Sequence, residues 1–265
     1  MSKPNKYSLY ELAVQSPEHH IEMLVAMYRE LRGKYAHRLR EDFCGTFRLA
    51  CEWVKRNRNN TAIALDLDED PIRYGKSHHL KALTAAQKKR LTIMRQNVLT
   101  VTHDPSDLVI ACNFSFYIFH DRRTLVNYFK YVHKSLADKG LFFLEVAGGP
   151  GMIEESKDVR PVFDKGKRKF TYIWDQKSFD PVHSRGKYAI HFRLPNGKLL
   201  ENAFEYDWRL WSIPEIREAM TDAGFSDTTV YWETEHKGQP TGEYMRSDMG
   251  DNAWSWIAYV IGMKG

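Results

Sequence analysis

Apolar residues recur at intervals of three and four in the first part of the chain. They are Leu9, Leu12 and Ala13 in one run, and Ile21, Leu24, Val25, Tyr28 and Leu31 in the next. This spacing predicts two amphipathic helices. Ser16 and Pro17 are residue types expected at the N-cap and the first turn of the second helix. We therefore predict a helical segment over residues 1–36.

Short apolar runs then alternate with helical patterns as far as residue 147. This order is typical of a parallel sheet with helices on both faces. The predicted strands are His37–Glu41, Thr61–Asp66, Leu91–Asn97, Leu108–Asn113 and Leu141–Val146. The predicted helices are Phe47–Lys55, a second that ends before Leu91, and Arg122–Leu136.

The pattern changes between residues 148 and 210, where aromatic residues alternate with polar ones. The alternating segments are Lys169–Asp175, Lys187–Leu194 and Lys198–Trp208. Asn196-Gly197 between the last two is a strong hairpin signal. This stretch therefore predicts an antiparallel insertion.

The helical pattern returns after the insertion. Ser212 is the expected N-cap of a helix that ends near Gly224. Two further strands are predicted at Thr228–Trp232 and Ser255–Met263. The α/β pattern thus resumes at residue 211 and continues to the end of the chain.

Bulk properties favour an ordinary globular protein. The 265 residues are 43% hydrophobic and carry a formal net charge of +5. Basic residues are interspersed with acids, which favours solvated faces over a nucleic-acid surface. Cys44, Cys51 and Cys112 lack paired metal-ligand spacing, so we expect reduced thiols and no metal site. Without an apolar signal core, the sequence predicts a cytoplasmic protein with no membrane partner.

Six motifs occur in an order that is found in one enzyme family. They are Leu39–Ala50, Asp66, Gln96–Val98, Asp107–Phe114, Lys134–Leu144 and Asp222–Phe225. Together they resemble the class I S-adenosylmethionine-dependent methyltransferases. The chain resembles more closely one subgroup of this family, whose first motif is Arg-Glu-Asp-Phe-Cys-Gly-Thr. Its matching segments are Arg40–Thr46, Asn113–Ser115, Ile190–Phe192 and Tyr206–Trp211.

The resemblance implies an α/β fold, namely a Rossmann-like seven-stranded mixed sheet with helices on both faces and an antiparallel last strand. Residues 1–36 would form a helical lid, and residues 37–147 with 211–265 would form the cofactor-binding core. Residues 148–210, after strand five, would form an antiparallel β insertion that caps the acceptor. The implied cofactor is S-adenosyl-L-methionine.

The resemblance also implies roles for single residues. Glu41 is expected to bind the methionine amino group through charge-assisted bonds, with Asp42 as the alternative if the register slips by one. Asp66 is expected to accept bonds from both ribose hydroxyls, with Asp68 as its alternative. The implied cofactor-binding set is Tyr10, Arg40, Glu41, Phe43, Cys44, Gly45, Thr46, Asp66, Leu67, Asn97, Val98 and Asn113.

Within that set, Asn97 is placed at the adenine amine and the Val98 backbone at the adenine ring. Tyr10 on the lid is placed near the cofactor carboxylate or the acceptor, and Arg40 is placed near the carboxylate.

The first motif departs from the family at two glycine positions, which are Phe43 and Phe47 here. One interpretation is a degenerate, inactive site. The other is that a phenylalanine side chain packs beneath the loop while Cys44, Gly45 and Thr46 still offer their backbones. The second is favoured because the downstream motifs are preserved.

The acceptor is expected at the end of strand four and under the insertion. The candidate catalytic residues are Asn113, Ser115, Tyr117 and His120. The candidate substrate-binding residues are Phe114, Trp174, His191 and Arg209. By alternation, His191 should face away from Phe192.

These residues predict methyl transfer to a nitrogen or oxygen of a small molecule, by a monomer or homodimer. Two alternatives remain: a methyltransferase that modifies RNA or protein, and a catalytically inactive cofactor-binding protein.

Overall fold

The computed structural model describes residues 5–236 and 239–265, in which helices and strands alternate. The helices are α1 (Lys6–Val14), α2 (Pro17–Arg32), α3 (Arg48–Arg56), α4 (Glu69–His78), α5 (Ala85–Lys88), α6 (Arg122–Ser135) and α7 (Ile213–Ala223). The strands are β1 (Arg38–Asp42), β2 (Thr61–Asp66), β3 (Leu91–Arg95), β4 (Ser106–Ala111), β5 (Leu136–Gly148), β6 (Ser156–Asp164), β7 (Lys167–Asp180), β8 (Arg185–Arg193), β9 (Leu199–Arg209), β10 (Asp227–His236), β11 (Gln239–Arg246) and β12 (Trp256–Met263).

Eight of the strands in the described ranges form one sheet in the order β11-β10-β12-β5-β4-β1-β2-β3. Strands β1 to β5 are parallel, and β12 lies antiparallel between β5 and β10. This confirms the predicted Rossmann-like fold and its antiparallel last strand. The sheet has one strand more than predicted, because β11 pairs with β10 at the edge. Its sequence is polar and contains proline and glycine, so it carries no apolar alternation.

Alternation along the central strands sends side chains to two cores, one on each face of the sheet. In β4, Leu108 and Ile110 pack with α2 and α3, whereas Val109 and Ala111 pack with α6 and α7. The predicted cover of helices on both faces is therefore confirmed. The same alternation decides which side chains can meet at the strand ends.

Residues 148–210 contain a four-stranded antiparallel sheet in the order β6-β7-β8-β9. The predicted hairpin joins β8 and β9, and Gly197 adopts a φ of 81° in its turn. Strand β6 is exposed along most of its length and so lacks an apolar pattern in the sequence. Helix α1 packs on this sheet through Leu9, which clusters with Phe170 and Phe192.

Helix α7 begins and ends as predicted. Ser212 forms a capping box with Glu215, and Gly224 ends the helix with a φ of 104°. Helix α2 begins at Pro17 as predicted, although the Ser16 side chain makes no capping bond. Among the described helices, none combines the length and apolar character that a bilayer crossing requires.

Candidate functional site

The ends of β1, β2 and β4 border a cavity of about 250 Å³, which we call the strand-end cavity. Glu41, Asp66 and Asn113 line it from these three ends. Helix α1 and strand β9 close it from the other side. Parallel strands bring their carboxyl ends to one edge of a sheet, and that topology places these distant residues together.

The loop between β1 and α3 forms one wall of the strand-end cavity. Phe43, Gly45 and Phe47 adopt left-handed φ values of 53°, 52° and 49°. Two phenylalanines thus take conformations that glycine adopts at lower cost. The Gly45 N–H donates to Asp66 Oδ2 at 2.7 Å, and the Cys44 N–H donates to the Leu65 carbonyl oxygen at 2.9 Å. These bonds tie the loop to the end of β2.

The Phe47 side chain packs beneath this loop and is fully buried. Its ring lies against Gly75 of α4, where a Cβ atom would meet the ring at 2.5 Å. Phe43 packs on the opposite face of the sheet, with its ring centroid 5.7 Å from that of Tyr128. The glycine-poor loop is therefore accommodated by a glycine on a neighbouring helix.

Gly75→Ala is expected to displace the loop and destabilise the fold. An alanine Cβ would lie 2.3 Å from the Thr46 carbonyl oxygen as well as against Phe47. Overpacking of this kind costs about 1–3 kcal/mol, which a lower midpoint of urea unfolding would report. Lys76→Ala on the exposed side of the same helix is the control and should change stability by less than about 0.5 kcal/mol. Equal midpoints for both variants would contradict this packing argument.

Glu41 and Asp42 point to opposite faces of β1. The Glu41 carboxylate lies towards α3, where it accepts the Ala50 N–H at 2.9 Å. Burial raises the pKa of Glu41 to about 8. Asp42 also borders the cavity, but Arg40 Nε donates to it at 2.7 Å and the Tyr128 hydroxyl donates at 2.8 Å. Glu41 thus accepts fewer bonds from the protein than Asp42 does, and it can accept more from a cationic ligand.

Arg40 has a structural position rather than the predicted ligand-binding one. Its guanidinium is fully buried on the α6 face of the sheet. Besides Asp42, it donates to the Val98 and Thr100 carbonyl oxygens, each at 2.9 Å, and to Ser135 Oγ at 2.7 Å. Arg40 does not line the strand-end cavity. The earlier placement of Arg40 at the cofactor carboxylate is corrected accordingly.

Asp66 lies where the loop and the end of β2 meet. Its two carboxylate oxygens accept the Gly45 N–H at 2.7 Å and the Asp68 N–H at 2.9 Å. Each oxygen keeps a further lone pair for a ligand. Asp68 borders the same cavity, but its side chain caps α4 by accepting the Asp70 N–H.

Leu67, Asn97 and Val98 lie beside the strand-end cavity and not on its wall. Leu67 is 63% exposed. The Asn97 side chain accepts the Leu99 N–H at 2.9 Å, and Val98 is buried. The Gln96 N–H donates to the Asp66 carbonyl oxygen at 2.9 Å. This bond places the segment that begins at Asn97 next to the end of β2.

Helix α1 reaches the strand-end cavity through Tyr7, Tyr10 and, just beyond its end, Gln15. The Gln15 Oε1 atom is buried and has no hydrogen-bond partner among the described residues. The helix is held by Glu11, which accepts the Thr46 hydroxyl at 2.5 Å and lies 2.6 Å from His79 Nε2. The predicted lid is thus anchored directly to the loop after β1.

A second cavity, of about 290 Å³, lies between α1 and the insertion; we call it the aromatic cavity. Tyr172, Trp174 and Trp208 of the insertion line it together with Phe114. Tyr10, Asn113 and Tyr206 line both cavities. The two cavities therefore meet at these three residues.

Asn113 and Phe114 adopt consecutive left-handed conformations, with φ of 54° and 57°. Two such residues in succession are costly without glycine and mark a constrained turn. The Asn113 N–H donates to Glu145 Oε2, which fixes the turn to β5. Ser115 lines the strand-end cavity, with its hydroxyl donating to the Cys112 carbonyl oxygen at 2.9 Å.

Four predicted acceptor-site residues lie outside both cavities. Tyr117 is fully buried and donates to the Ala147 carbonyl oxygen at 2.6 Å. The His120 ring bonds the Asp207 carbonyl oxygen at 2.7 Å, and Arg209 donates to the His120 carbonyl oxygen at 2.9 Å. His191 lies on the outer face of its sheet against Asp175, as the alternation predicts. These four side chains already have structural partners.

Sequence reasoning did not assign several lining residues. They are Lys6, Gln15, Cys112, Asp158, Arg160, Tyr172, Phe204, Tyr206 and Trp208. Tyr206 and Trp208 share a strand face with Phe204, so their period of two was the available signal. For Cys112, only its place immediately before the Asn113 turn could have indicated a site.

The fold was compared with known proteins. No known family profile matches the chain, and no curated protein matches its sequence. Solved structures do match over nearly the whole chain. A methyltransferase from Clostridium acetobutylicum that depends on S-adenosylmethionine has a TM-score of 0.70 at 15% identity, covering 98% of each chain. The fold is that of S-adenosylmethionine-dependent methyltransferases.

Two other matching structures are methyltransferases that act on sugars. An amino pentose methyltransferase of calicheamicin biosynthesis from Micromonospora echinaspora, solved with S-adenosylmethionine bound, has a TM-score of 0.67 at 15% identity and 98% coverage of each chain. A sugar N-methyltransferase from Streptoalloteichus has a TM-score of 0.66 at 16% identity, covering 97% of this chain and 92% of that one. The implied methyltransferase fold is confirmed, while the subgroup with its first-motif sequence stays a prediction.

Proposed function

We propose that this protein is an S-adenosylmethionine-dependent methyltransferase that acts on a nitrogen or oxygen atom of a small molecule. One observation carries the proposal: an acidic cavity at the strand ends and an aromatic cavity under the insertion meet at Tyr10, Asn113 and Tyr206. Two adjoining sites that share lining residues suit a transfer between two bound molecules.

The charge of the strand-end cavity fits a cationic cofactor. Among the described residues, Glu41, Asp42, Asp66 and Asp68 line it against one basic side chain, Lys6. S-adenosylmethionine carries a sulfonium and an ammonium group, and both are favoured beside carboxylates. The buried Gln15 Oε1, which lacks a partner among the described residues, offers a further acceptor. We assign Glu41 and Gln15 to the methionine end of the cofactor.

The ribose is assigned to Asp66, whose fixed carboxylate keeps two free lone pairs. The adenine is assigned to the adjoining surface of Leu67, Asn97 and Val98, because a bound ring would cover the exposed Leu67 side chain. Cys44, Gly45 and Thr46 of the loop after β1 line the same cavity.

The bound cofactor supplies the activated methyl group on a positively charged sulfur. The protein's own residues position the acceptor and exclude water. Trp174 and Tyr188 stack with their rings 18° apart and 5.4 Å between centroids, which makes the insertion a rigid aromatic wall. Asp158 and Arg160 place one charge of each sign at the aromatic cavity. Asn113 is held at the junction by its backbone bond to Glu145.

The alternatives receive less support from this arrangement. An RNA- or protein-modifying enzyme would need an open basic channel, whereas the aromatic cavity is bounded by α1 on one side and the insertion on the other. An inactive protein was suggested by the two missing glycines. The loop nevertheless adopts the left-handed conformations that glycines would supply, and Phe43, Cys44, Gly45 and Thr46 line the cavity.

Isothermal titration calorimetry with S-adenosylmethionine and S-adenosylhomocysteine tests cofactor binding. A saturable one-to-one isotherm is expected, and no heat at millimolar cofactor would overturn the proposal. Transfer of labelled methyl groups from S-adenosylmethionine to a panel of small amines and alcohols then tests the reaction. Cofactor binding without transfer to any component of a whole metabolite extract would favour the inactive alternative.

The affinity for S-adenosylmethionine should depend on pH through Glu41. Its raised pKa of about 8 means that the carboxyl is largely protonated at neutral pH in the free protein. Binding an ammonium group favours the carboxylate, so binding must release this proton. Affinity should therefore fall as the pH drops below about 8, by at most about tenfold per pH unit.

Calorimetry at several pH values, in buffers of different ionisation enthalpy, measures that proton release. Glu41→Gln is the control, because it cannot titrate and should show a flatter profile with weaker binding. An identical pH profile for both proteins would contradict the role of Glu41.

A further inference from the structure

Three side chains with metal-binding atoms lie together on the α2 face of the main sheet. They are His20 of α2, Cys112 at the end of β4 and Glu145 of β5. Their ligand atoms all lie within 4.8 Å of one another. Cys112 and Glu145 are buried, and His20 is partly buried. The proposed methyl transfer uses this group only through Glu145, which holds the Asn113 turn by accepting its N–H.

The set of donor atoms selects for a particular kind of metal. A thiolate, an imidazole and a carboxylate suit Zn²⁺, whereas Mg²⁺ and Ca²⁺ prefer oxygen ligands alone. Zn–S and Zn–N bonds of about 2.3 and 2.05 Å at a tetrahedral angle put sulfur and nitrogen about 3.6 Å apart. Cys112 Sγ lies 3.9 Å from His20 Nε2, so a shift of a few tenths of an ångström suffices.

Further groups surround these three. The Tyr259 hydroxyl lies 2.5 Å from His20 Nε2 and donates to Glu145 Oε1 at 3.1 Å, so it is hydrogen-bonded to two of the three side chains. The second carboxylate oxygen of Glu145 accepts the Asn113 N–H and is thereby oriented. Oriented carboxylates of this kind are typical of metal sites.

We propose that His20, Cys112 and Glu145 supply three ligands of a zinc site, in which the Tyr259 hydroxyl orients Glu145 through its hydrogen bond. Binding of Zn²⁺ displaces the thiol proton of Cys112 to solvent, and the thiolate and the Glu145 carboxylate then balance the two positive charges of the ion. Cys112 also lines the strand-end cavity, which provides a route of entry. The ion would join α2 to β4 and β5 directly beside the Asn113 turn. This proposal does not depend on the proposed methyl transfer.

The full chain, stripped of metal and titrated with Zn²⁺ alone against a chromogenic chelator, tests the site. We expect one equivalent of Zn²⁺ to bind. Cys112→Ser should weaken Zn²⁺ binding by at least about 100-fold, because it removes one of the metal–ligand bonds. Cys51→Ser is the matched control, because Cys51 is equally buried but lies on α3, outside the group. It should bind Zn²⁺ as the unaltered protein does.

Cobalt substitution gives a second readout, because a thiolate bound to Co²⁺ has a characteristic absorption band. Co²⁺ in the unaltered protein and in Cys51→Ser should show a thiolate charge-transfer band, which Cys112→Ser should lack. His20→Ala should keep the band but bind Co²⁺ more weakly. The proposal is overturned if the unaltered protein binds no Zn²⁺ at micromolar free metal, or if Cys112→Ser binds it equally well.

Discussion

Asp66→Asn should raise the dissociation constant for S-adenosylmethionine by about 10- to 100-fold, the scale of one or two lost charge-assisted bonds. Two effects add in this variant. The amide loses the negative charge that strengthens bonds from the ribose hydroxyls. The carboxylate accepts bonds from the backbone N–H groups of Gly45 and Asp68. In the amide, an NH₂ group replaces one of the two accepting oxygens, so one of these N–H groups loses its acceptor. The cavity wall and the ligand contact are therefore weakened together.

Calorimetry with S-adenosylmethionine measures this change. Asp70→Asn is the matched control, because Asp70 is exposed on α4 and pairs with Arg73 at 3.2 Å outside the strand-end cavity. An exposed pair of this kind contributes little, so affinity should stay within about twofold. If Asp66→Asn bound the cofactor as tightly as Asp70→Asn, the ribose assignment would fail.

Arg40→Ala should lower the free energy of unfolding by about 3–5 kcal/mol, the usual cost of breaking a buried ion pair from one side. Arg40 and Asp42 both have fully buried side chains, and burial already raises the pKa of Asp42 with the guanidinium in place. Without Arg40, Asp42 keeps only the Tyr128 hydroxyl as a side-chain donor. The Val98 and Thr100 carbonyl oxygens also lose their donor.

Urea unfolding followed by circular dichroism measures the loss. Arg38→Ala on the same strand is the control, because Arg38 is 47% exposed in its pair with Asp107 and should cost no more than about 1 kcal/mol. The double variant Arg40→Met, Asp42→Leu should recover much of the stability, since it leaves no buried charge. An unchanged midpoint for Arg40→Ala would contradict the structural role of this residue.

The Arg40 result shows how far sequence reasoning reached at the site. The motif order correctly placed Glu41, Asp66 and Asn113 at the ends of neighbouring strands, because parallel topology follows from the alternation of strands and helices. It could not decide between Arg40 and Glu41 as ligand-facing residues. That choice depends on which core each face of β1 meets, and adjacent residues point to opposite cores.

The two phenylalanines of the first motif required the tertiary structure in a different way. Their sequence context gave two interpretations, an inactive loop or a loop packed over a ring. Gly75, which makes room for the Phe47 ring, lies on another helix and belongs to no motif of the loop. His120 likewise looked available for catalysis and Arg209 for substrate binding, until the bonds of His120 to Asp207 and of Arg209 to His120 were known.

The sequence by itself determined the fold class, the hairpin at Asn196-Gly197, the capped helix at Ser212 and the motif positions at the strand ends. These features depend on local periodicity and turn chemistry, which short segments encode. Only the tertiary structure brought the two cavities together at Tyr10, Asn113 and Tyr206, and His20 close to Cys112 and Glu145. Such contacts join residues far apart in the chain, and they depend on how helices and the insertion pack, which no local pattern specifies.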